Sequence, residues 1–362
     1  MRDRTTMDEL RVAVVGVGRM GVTHAENLAH RVRGARLVAV TTSSAERADE
    51  VRRRCGAVPV YERFDHLIEA ERLDAVVISS STSAHVDNVE MSARAGLHML
   101  CEKPLALDLE GCDRAARSAR SAGVTLMVGH VRRFDAGYQE AKRIIDSGSI
   151  GQPLVYRSLS GDMDPPPPSF ADLGVSGGLI VDSMYHDIYL GRWLMEDEII
   201  RVHAEGGALV DPEVGAVGDV DNAVVSARFA GGALGALCAS RTTRYGHDLR
   251  GEVIGEGGAV QIGRLRRTPV RLLDRHGTHQ DTVHTTPERM GEAFVTMLQA
   301  FIDCIATTRP PVDATEARTT LAVALAARQS LATGLPVELQ SQPSPRTTPA
   351  RAAEVRTSIT NE

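Results

Sequence analysis

Short apolar runs alternate with amphipathic stretches through the first 130 residues of the chain. The amphipathic stretches repeat apolar residues at helical spacing, whereas the runs have strand length and end in glycine or polar residues. Uninterrupted apolar runs of this kind are typical of parallel strands that are buried on both faces. We therefore predict a doubly wound α/β domain over residues 8–130, with strands at 11–16, 35–40, 58–61, 75–78, 97–100 and 124–129.

Strand-like segments with glycine turns dominate from residue 151 onward, and two segments with helical periodicity follow them. They predict a second, α+β domain over residues 131–340, built on a mostly antiparallel sheet. The predicted strands lie at 154–159, 202–209, 221–229, 233–240, 251–255 and 270–273, and the late helices at 292–306 and 315–333. The polar, proline-containing residues 341–362 are predicted to form a disordered tail.

The stretch SGGLIVDSMYHDIYLGRW at 176–193 combines helical periodicity with two ionisable side chains. Asp182 and His186 are four residues apart, which places them on one face of a helix. An aspartate within reach of a histidine can orient the imidazole and stabilise its protonated form, as a general base requires. The same spacing fits a core histidine with a structural partner, and these residues alone favour neither interpretation.

A glycine motif follows the first predicted strand. Gly16, Gly18 and Gly21 form GxGxxG between that strand and a helical pattern. The first glycine permits a tight turn, the second lets the backbone approach a pyrophosphate, and the third lets the helix pack on the strand. We therefore predict a dinucleotide whose pyrophosphate lies at the N-terminus of the helix, where free N–H groups favour negative charge.

The end of the second strand bears on the form of the dinucleotide. An acidic residue there binds the ribose of NAD, and an arginine suits the 2′-phosphate of NADP. This chain has the hydroxyl residues Thr42 and Ser43 instead. Because hydroxyls can bind either form of the ribose, NAD and NADP are both compatible with the sequence.

Polar residues also follow the fourth and fifth predicted strands. Ser80 and His85 lie in the loop after 75–78, and Glu102 and Lys103 follow 97–100. Open α/β sheets bind ligands at the carboxyl ends of their strands. Pro104 holds Lys103 extended, which predicts that the lysine side chain enters a cleft. The alternative is a solvated surface lysine.

The composition excludes several classes of protein. The 362 residues carry a net charge of −6 and no basic block that would follow a nucleic-acid backbone. The five cysteines are widely spaced and form no CxxC pair, so neither a disulfide framework nor a metal site is expected. No apolar stretch has the length of a membrane span or the place of a signal peptide. We expect a reduced, cytoplasmic protein that binds neither nucleic acid nor membrane.

Seven motifs occur in an order that resembles the Gfo/Idh/MocA oxidoreductases and, within them, the inositol dehydrogenases. They are GVGRMG at 16–21, CEKPLA at 101–106, VRRFDAGY at 131–138, DPPPPSF at 164–170, SGGLIVDSMYHD at 176–187, LVDPEVGAVGDVDNAVV at 209–225 and RYGHDLRGEVIGEGG at 244–258. The resemblance implies an N-terminal Rossmann domain that binds NAD or NADP. It also implies a C-terminal domain whose large open sheet forms a homo-oligomer, either a dimer or a tetramer.

The resemblance further implies that the enzyme oxidises a secondary hydroxyl of a cyclitol to the ketone. Lys103, Asp182 and His186 match the family's catalytic positions around the reacting carbon, and Lys103 and His186 are both candidates for the proton acceptor. The residues expected to bind the cofactor are Gly16, Gly18, Arg19, Met20, Gly21, Thr42, Ser43, Ser80, His85, Glu102 and Lys103. Those expected to contact the substrate are Lys103, Arg132, Asp162, Asp182, His186 and His247.

The chain departs from the family pattern at positions that bear on specificity. Thr42 stands where NAD-preferring relatives carry aspartate, and His247 where inositol dehydrogenases carry a tyrosine near the substrate. The Ser160, Gly161 and Asp162 segment also differs from the commoner sequence. These departures make a modified cyclitol, with an amino or keto group, an alternative to myo-inositol. A pyranose dehydrogenase and a non-catalytic NAD(P)-binding sensor are the other interpretations.

Overall fold

The computed structural model describes residues 9–263, 266–268, 270–307 and 309–340, so the predicted tail at 341–362 lies outside the described residues. The first part of the chain alternates strands with helices. In order it contains β1 (Leu10–Val15), α1 (Arg19–His30), β2 (Ala35–Thr41), α2 (Ala45–Cys55), β3 (Val60–Tyr61), α3 (Phe64–Ala70), β4 (Ala75–Ile78), α4 (His85–Arg94), β5 (His98–Glu102), α5 (Leu109–Ala122), β6 (Leu126–Gly129) and α6 (Ala136–Asp146).

Strands β1 to β6 form one parallel sheet in the order β3-β2-β1-β4-β5-β6. The central strands are apolar and buried, as their uninterrupted apolar runs predict. Strand order reverses beside β1, and ligands bind at such a point outside the carboxyl ends of the strands. Strand β5 ends at Glu102, two residues later than predicted, so Lys103 follows the strand directly.

The second part of the chain is mainly strand. It contains β7 (Pro153–Gly161), α7 (Pro168–Ala171), α8 (Tyr185–Met195), β8 (Ile199–Gly207), α9 (Pro212–Ala216), β9 (Asn222–Phe229), β10 (Leu234–Ser240), β11 (Asp248–Gly255), β12 (Ala259–Gly263), β13 (Arg271–Asp274), β14 (Gly277–Gln280), α10 (Thr286–Ile305), α11 (Ala314–Thr333) and β15 (Val337–Glu338). A turn of π-helix, Ile180–Met184, leads into α8.

Seven of these strands form a mixed sheet in the order β12-β11-β7-β10-β9-β8-β15. The β7–β10 pair is parallel and the other pairs are antiparallel. The two sheets together confirm the predicted fold class. The predicted strand at 270–273 was wrongly assigned to the large sheet, because β13 pairs only with β14 in a separate hairpin. All residues of that hairpin are exposed, so its apolar residues do not indicate burial.

Helices α10 and α11 return to the N-terminal sheet. Met290, Phe294 and Met297 of α10 pack in one apolar cluster with Val12 and Val14 of β1, and α11 packs beside α5. Because α11 also packs against β8 of the second sheet, it joins the two parts of the chain. The predicted division at residue 130 and the predicted oligomer stay predictions. Within the described ranges, every helix is too short or too polar to cross a bilayer.

Candidate active site

A cleft of about 830 Å³ lies between the carboxyl ends of the parallel strands and the second sheet. It brings together most of the residues that were predicted to bind the cofactor or the substrate. Those that line it are Gly18, Arg19, Met20, Ser80, His85, Glu102, Lys103, Arg132, Asp162, Asp182, His186 and His247. The nominated residues outside its lining are Gly16, Gly21, Thr42 and Ser43.

The glycine turn after β1 is set by close backbone packing. Gly16 has a φ of 87°, and a Cβ there would lie 2.5 Å from the Ser80 Cα. A Cβ on Gly21 would lie 2.1 Å from the Gly16 carbonyl oxygen. At Gly18, by contrast, no described atom comes within 4 Å of an added Cβ. The first and third glycines therefore serve packing, and the second leaves open space.

That open space lies at the N-terminus of α1. Gly18 is the N-cap residue, and no side chain in the described structure caps the helix. The Gly16 N–H donates to the Thr41 hydroxyl at 2.8 Å, which ties the turn to the end of β2. Uncapped N–H groups beside an open glycine fit the pyrophosphate of a dinucleotide.

The end of β2 carries hydroxyls rather than a carboxylate. Thr42 is half-buried, and its Oγ1 accepts a hydrogen bond from the Ser44 N–H at 3.1 Å. Ser43 is exposed. Arg47, in the first turn of α2, is paired with Glu50 at 2.5 Å. In the described structure, the residues directly after β2 therefore offer no carboxylate that would repel a 2′-phosphate.

His85 joins two loops at the floor of the cleft. Its Nδ1 lies 2.9 Å from the Pro104 carbonyl oxygen and its Nε2 lies 3.2 Å from the Ser80 carbonyl oxygen. Burial lowers the pKa of this imidazole, so the neutral ring donates to one of the two carbonyls. Both nitrogens are directed at backbone, which places Ser80 beside the loop that carries Lys103.

Glu102 is the last residue of β5 and faces a buried histidine. Its Oε1 lies 2.7 Å from Nε2 of His24, which is itself fully buried on α1. Burial raises the pKa of Glu102, but the hydrogen bond with His24 and the nearby Lys103 ammonium lower it, and the net shift is downward. Glu102 is therefore an ionised group at the edge of the cleft.

Lys103 spans the cleft to the π-helical turn. After β5 the chain makes a cis Lys103–Pro104 peptide, and Nζ donates to Asp182 Oδ1 at 2.9 Å and to the Asp182 carbonyl oxygen at 2.8 Å. A π-turn shifts the backbone ladder by one residue and is often found at functional sites. Lys103 therefore contacts both the main chain and the side chain of that turn, which excludes the solvated-lysine alternative.

Arg241 completes the surroundings of Asp182 and was missed at the sequence level. It is 1% exposed and pairs with Asp182 at 3.3 Å and with Asp219 at 2.7 Å. Asp219 in turn accepts the Leu179 N–H at 2.9 Å. Burial raises the pKa of Asp182, Lys103 and Arg241 lower it, and the net shift is downward. The only signal for Arg241 was its position directly after a strand of the second sheet.

His186 lies on the first turn of α8 and is 9% exposed. No hydrogen bond joins it to Asp182 among the described residues, because the Asp182 carboxylate is taken by Lys103 and Arg241. The prediction that Asp182 orients the imidazole is therefore wrong for this structure. Nδ1 of His186 is buried and has no hydrogen-bond partner in the described structure, and the residue lines the cleft. Burial, then the charges of Arg132 and Lys103, lower its pKa well below 6.5.

Arg132 approaches the cleft from a buried polar cluster. Its Nη1 donates to Ser160 Oγ at 2.6 Å and lies 3.4 Å from Asp187 Oδ1, and the Ser160 hydroxyl donates to the other Asp187 oxygen. Asp187 is fully buried. Burial raises the pKa of its carboxyl group, the charge of Arg132 lowers it, and the net shift is upward. Ser160, one of the departures from the family pattern, thus supports Arg132.

Asp162 and His247 form a hydrogen-bonded pair that also lines the cleft. Nδ1 of His247 lies 2.9 Å from Asp162 Oδ1, and the two side chains are 5% and 40% exposed respectively. Burial raises the pKa of Asp162, the hydrogen bond with His247 lowers it, and the net shift is downward. An ionised Asp162 therefore faces the cleft, and its hydrogen bond with His247 fixes the position of the carboxylate.

The chain matches known proteins over both of its parts. Residues 10–130 match the model of the GFO/IDH/MocA oxidoreductase family with an NAD-binding Rossmann fold, and residues 138–261 match that of the GFO/IDH/MocA C-terminal domain. It is 39% identical to the scyllo-inositol 2-dehydrogenase (NAD(+)) of Bacillus subtilis, over 91% of this chain and 96% of that protein. It is 37% identical to the myo-inositol 2-dehydrogenase of Thermotoga maritima, over 91% and 99%.

A crystal structure of scyllo-inositol dehydrogenase from Lactobacillus casei, with bound NAD(H) and scyllo-inositol, aligns with a TM-score of 0.85. The two chains are 29% identical, and the alignment covers 91% of this chain and 99% of that one.

Proposed function

This chain belongs to the GFO/IDH/MocA oxidoreductase family, and from that membership we propose that it oxidises a secondary hydroxyl of a cyclitol to the ketone. It is an oxidoreductase that acts on CH–OH groups with a nicotinamide cofactor. The observation that carries the proposal is that Lys103, Asp182 and His186 line the same cleft as Gly18 of the glycine turn. A cyclitol is favoured over a pyranose because the relatives compared above are inositol dehydrogenases.

The reacting hydroxyl needs a base, because the pKa of an unassisted hydroxyl lies far above neutral pH. When bound, the nicotinamide supplies the hydride acceptor. We assign the base to His186, whose neutral ring faces the cleft. Lys103 donates a hydrogen bond to the same oxygen and stabilises its developing negative charge. Asp182 holds the Lys103 ammonium through its carboxylate and carbonyl, which fixes the donor before substrate arrives.

The remaining polar residues are proposed to bind the other hydroxyls of the ring. Arg132 supplies donors at one side, and the partly exposed carboxylate of Asp162 supplies acceptors at the other. A carboxylate accepts hydrogen bonds from a pair of hydroxyls or from an ammonium group. This arrangement supports both an unmodified inositol and an amino-inositol.

A substrate panel tests the proposal. The protein is mixed with NAD or NADP and with myo-inositol, scyllo-inositol, an amino-inositol or glucose, and reduced nicotinamide is followed by absorbance. We expect turnover to be highest with a cyclitol. Higher turnover with glucose would show a pyranose dehydrogenase. Tight cofactor binding without turnover on any polyol would show a non-catalytic sensor.

A further inference from the structure

Within the described part of the chain, three imidazole nitrogens at and beside the proposed base are buried without hydrogen-bond partners. They are both ring nitrogens of His130 and Nδ1 of His186. Leaving a buried polar group unsatisfied is unfavourable, and native structures rarely place several such groups together. His130 is 1% exposed and has no part in the mechanism proposed above.

His130 is held by aromatic rings. It follows β6 directly, and its ring stacks on Tyr185 at a centroid distance of 5.0 Å and on Tyr189 at 3.9 Å. The His186 ring lies edge-to-face with it at 6.4 Å. The two rings form no direct hydrogen bond, and polar groups that do not bond directly can be joined by a bridging water. A buried water needs two or more polar partners, which these two rings provide.

His186 needs such a partner if it accepts the proton at Nε2. In the neutral ring Nδ1 then carries the hydrogen, and the group that accepts from Nδ1 determines the tautomer. Asp182 is bonded elsewhere. Burial, followed by the charges of Lys103, Arg192 and Arg133, lowers the pKa of His130 well below 6.5. His130 is therefore neutral and has one nitrogen lone pair that can accept.

We propose that one buried water accepts a hydrogen bond from His186 Nδ1–H and donates to a ring nitrogen of His130, so that His130 is the positioning residue that orients the base. The inference rests on the proposed role of His186 in oxidising a hydroxyl. In the reaction, the substrate proton moves to Nε2 and the imidazolium donates more strongly through Nδ1. The acceptor behind Nδ1 thus stabilises the protonated form.

Without the acceptor, the His186 imidazolium is less stable and the pKa of His186 falls. The charged and titratable groups around His186 are otherwise Arg132, Lys103 and His247, and those around His130 are Lys103, Arg192 and Arg133. None of them is changed by a substitution at His130.

The test compares His130→Phe, which keeps an aromatic ring in the stack, with His130→Gln, which keeps an acceptor. Tyr189→Phe is the matched control, because it removes the hydroxyl that accepts from Arg133 at 2.5 Å but leaves the stack. We expect His130→Phe to lower kcat roughly ten- to a hundredfold, with KM unchanged and the acid limb of the kcat profile moved to lower pH. We expect His130→Gln to restore part of kcat and Tyr189→Phe to leave the limb in place.

A loss of kcat in His130→Phe without movement of the acid limb would overturn the proposal, as would wild-type behaviour of that variant. A measurement independent of activity uses ¹⁵N-histidine NMR of the wild-type protein, with the His186 signals assigned from His186→Asn. We expect the Nδ1–H tautomer at His186, and a changed Nδ1 signal in His130→Phe. An Nε2–H tautomer in the wild type would contradict the proposal. If no polyol is oxidised, the proposed function fails, but the NMR result still decides the role of His130.

Discussion

The two walls of the cleft are built by different means. The wall from the parallel sheet is mainly backbone: Gly16 and Gly21 let the chain turn tightly, and Gly18 leaves room at the N-terminus of α1. The opposite side is mainly ionised side chains, in which Asp182 lies between Arg241 and Lys103, which reaches across the cleft from the end of β5. Backbone packing is local in sequence, whereas the charged wall joins residues 59 to 79 positions apart.

This difference has consequences for substitution. A substitution in the glycine turn causes steric overlap and affects one property, either packing or cofactor binding. A substitution among the coupled charges leaves their partners unpaired, so that a change at one residue affects others. The expectations below test that contrast.

The largest effect is expected at the charged wall. Lys103→Ala should lower turnover at least about a hundredfold, because it removes the cation that stabilises charge on the reacting oxygen. Cofactor affinity, measured by fluorescence titration, should change little. Lys142→Ala is the matched control, since the Lys142 side chain is as deeply buried as that of Lys103, pairs with Glu196 at 2.6 Å and lies outside the lining of the cleft. Equal turnover in the two variants would remove Lys103 from the chemistry.

A large loss of stability is expected at Arg241. Arg241→Leu leaves Asp182 and Asp219 without their shared buried guanidinium. The free energy of unfolding in urea should fall by about 3–5 kcal/mol. The control is Arg157→Leu, because the Arg157 side chain, which pairs with Glu252, is 61% exposed, and a change below about 1 kcal/mol is expected there. A similar small change at Arg241 would show that the charged wall is not coupled.

Two alanine substitutions in the glycine turn separate its role in packing from its role in binding the dinucleotide. Gly21→Ala should lower stability by about 1–3 kcal/mol, because its Cβ meets the Gly16 carbonyl oxygen. Gly18→Ala should leave the unfolding transition in place and weaken binding of the dinucleotide, because its methyl group occupies the open space. Calorimetry of unfolding and of NAD binding measures both. Loss of stability in Gly18→Ala with normal binding would contradict this division.

Stability is also expected to depend on pH through buried imidazoles. Burial lowers the pKa values of His85, His130 and His186 from the ordinary 6.5. As the pH falls below that value, the unfolded chain binds protons that the folded chain does not, so stability decreases. For each histidine the slope is at most about 1.4 kcal/mol per pH unit. Urea unfolding between about pH 7 and pH 5 measures it, and His130→Phe should reduce the slope.

The smallest effect is expected at Thr42, directly after β2. Thr42→Asp should shift the ratio of Kd values toward NAD by roughly tenfold, which corresponds to about 1.4 kcal/mol, because a carboxylate repels the 2′-phosphate of NADP. Thr42→Asn is the control of similar size without charge. An unchanged ratio in Thr42→Asp would show that this side chain does not face the ribose.

Much of the fold was predictable because its signals are periodic and local. The apolar runs at 75–78 and 35–40 became β4 and β2, and Asp108 caps α5 through the Gly111 N–H at 2.7 Å, as expected for an N-cap aspartate. The predicted strand at 270–273 was misassigned to the large sheet because strand propensity does not say which sheet a strand joins. The family prediction is confirmed by the matches over both parts of the chain.

The amino-acid sequence by itself determined the elements, the glycine turn and the residue types that reach the cleft, because periodicity and steric demands act over a few positions. Only the tertiary structure decided which ionised groups pair. The Asp182–His186 spacing indicated one partner, yet Lys103 and Arg241 arrive from other strands and take the carboxylate. Ion pairs in a buried site depend on distances in space and on desolvation, which separation along the chain does not contain.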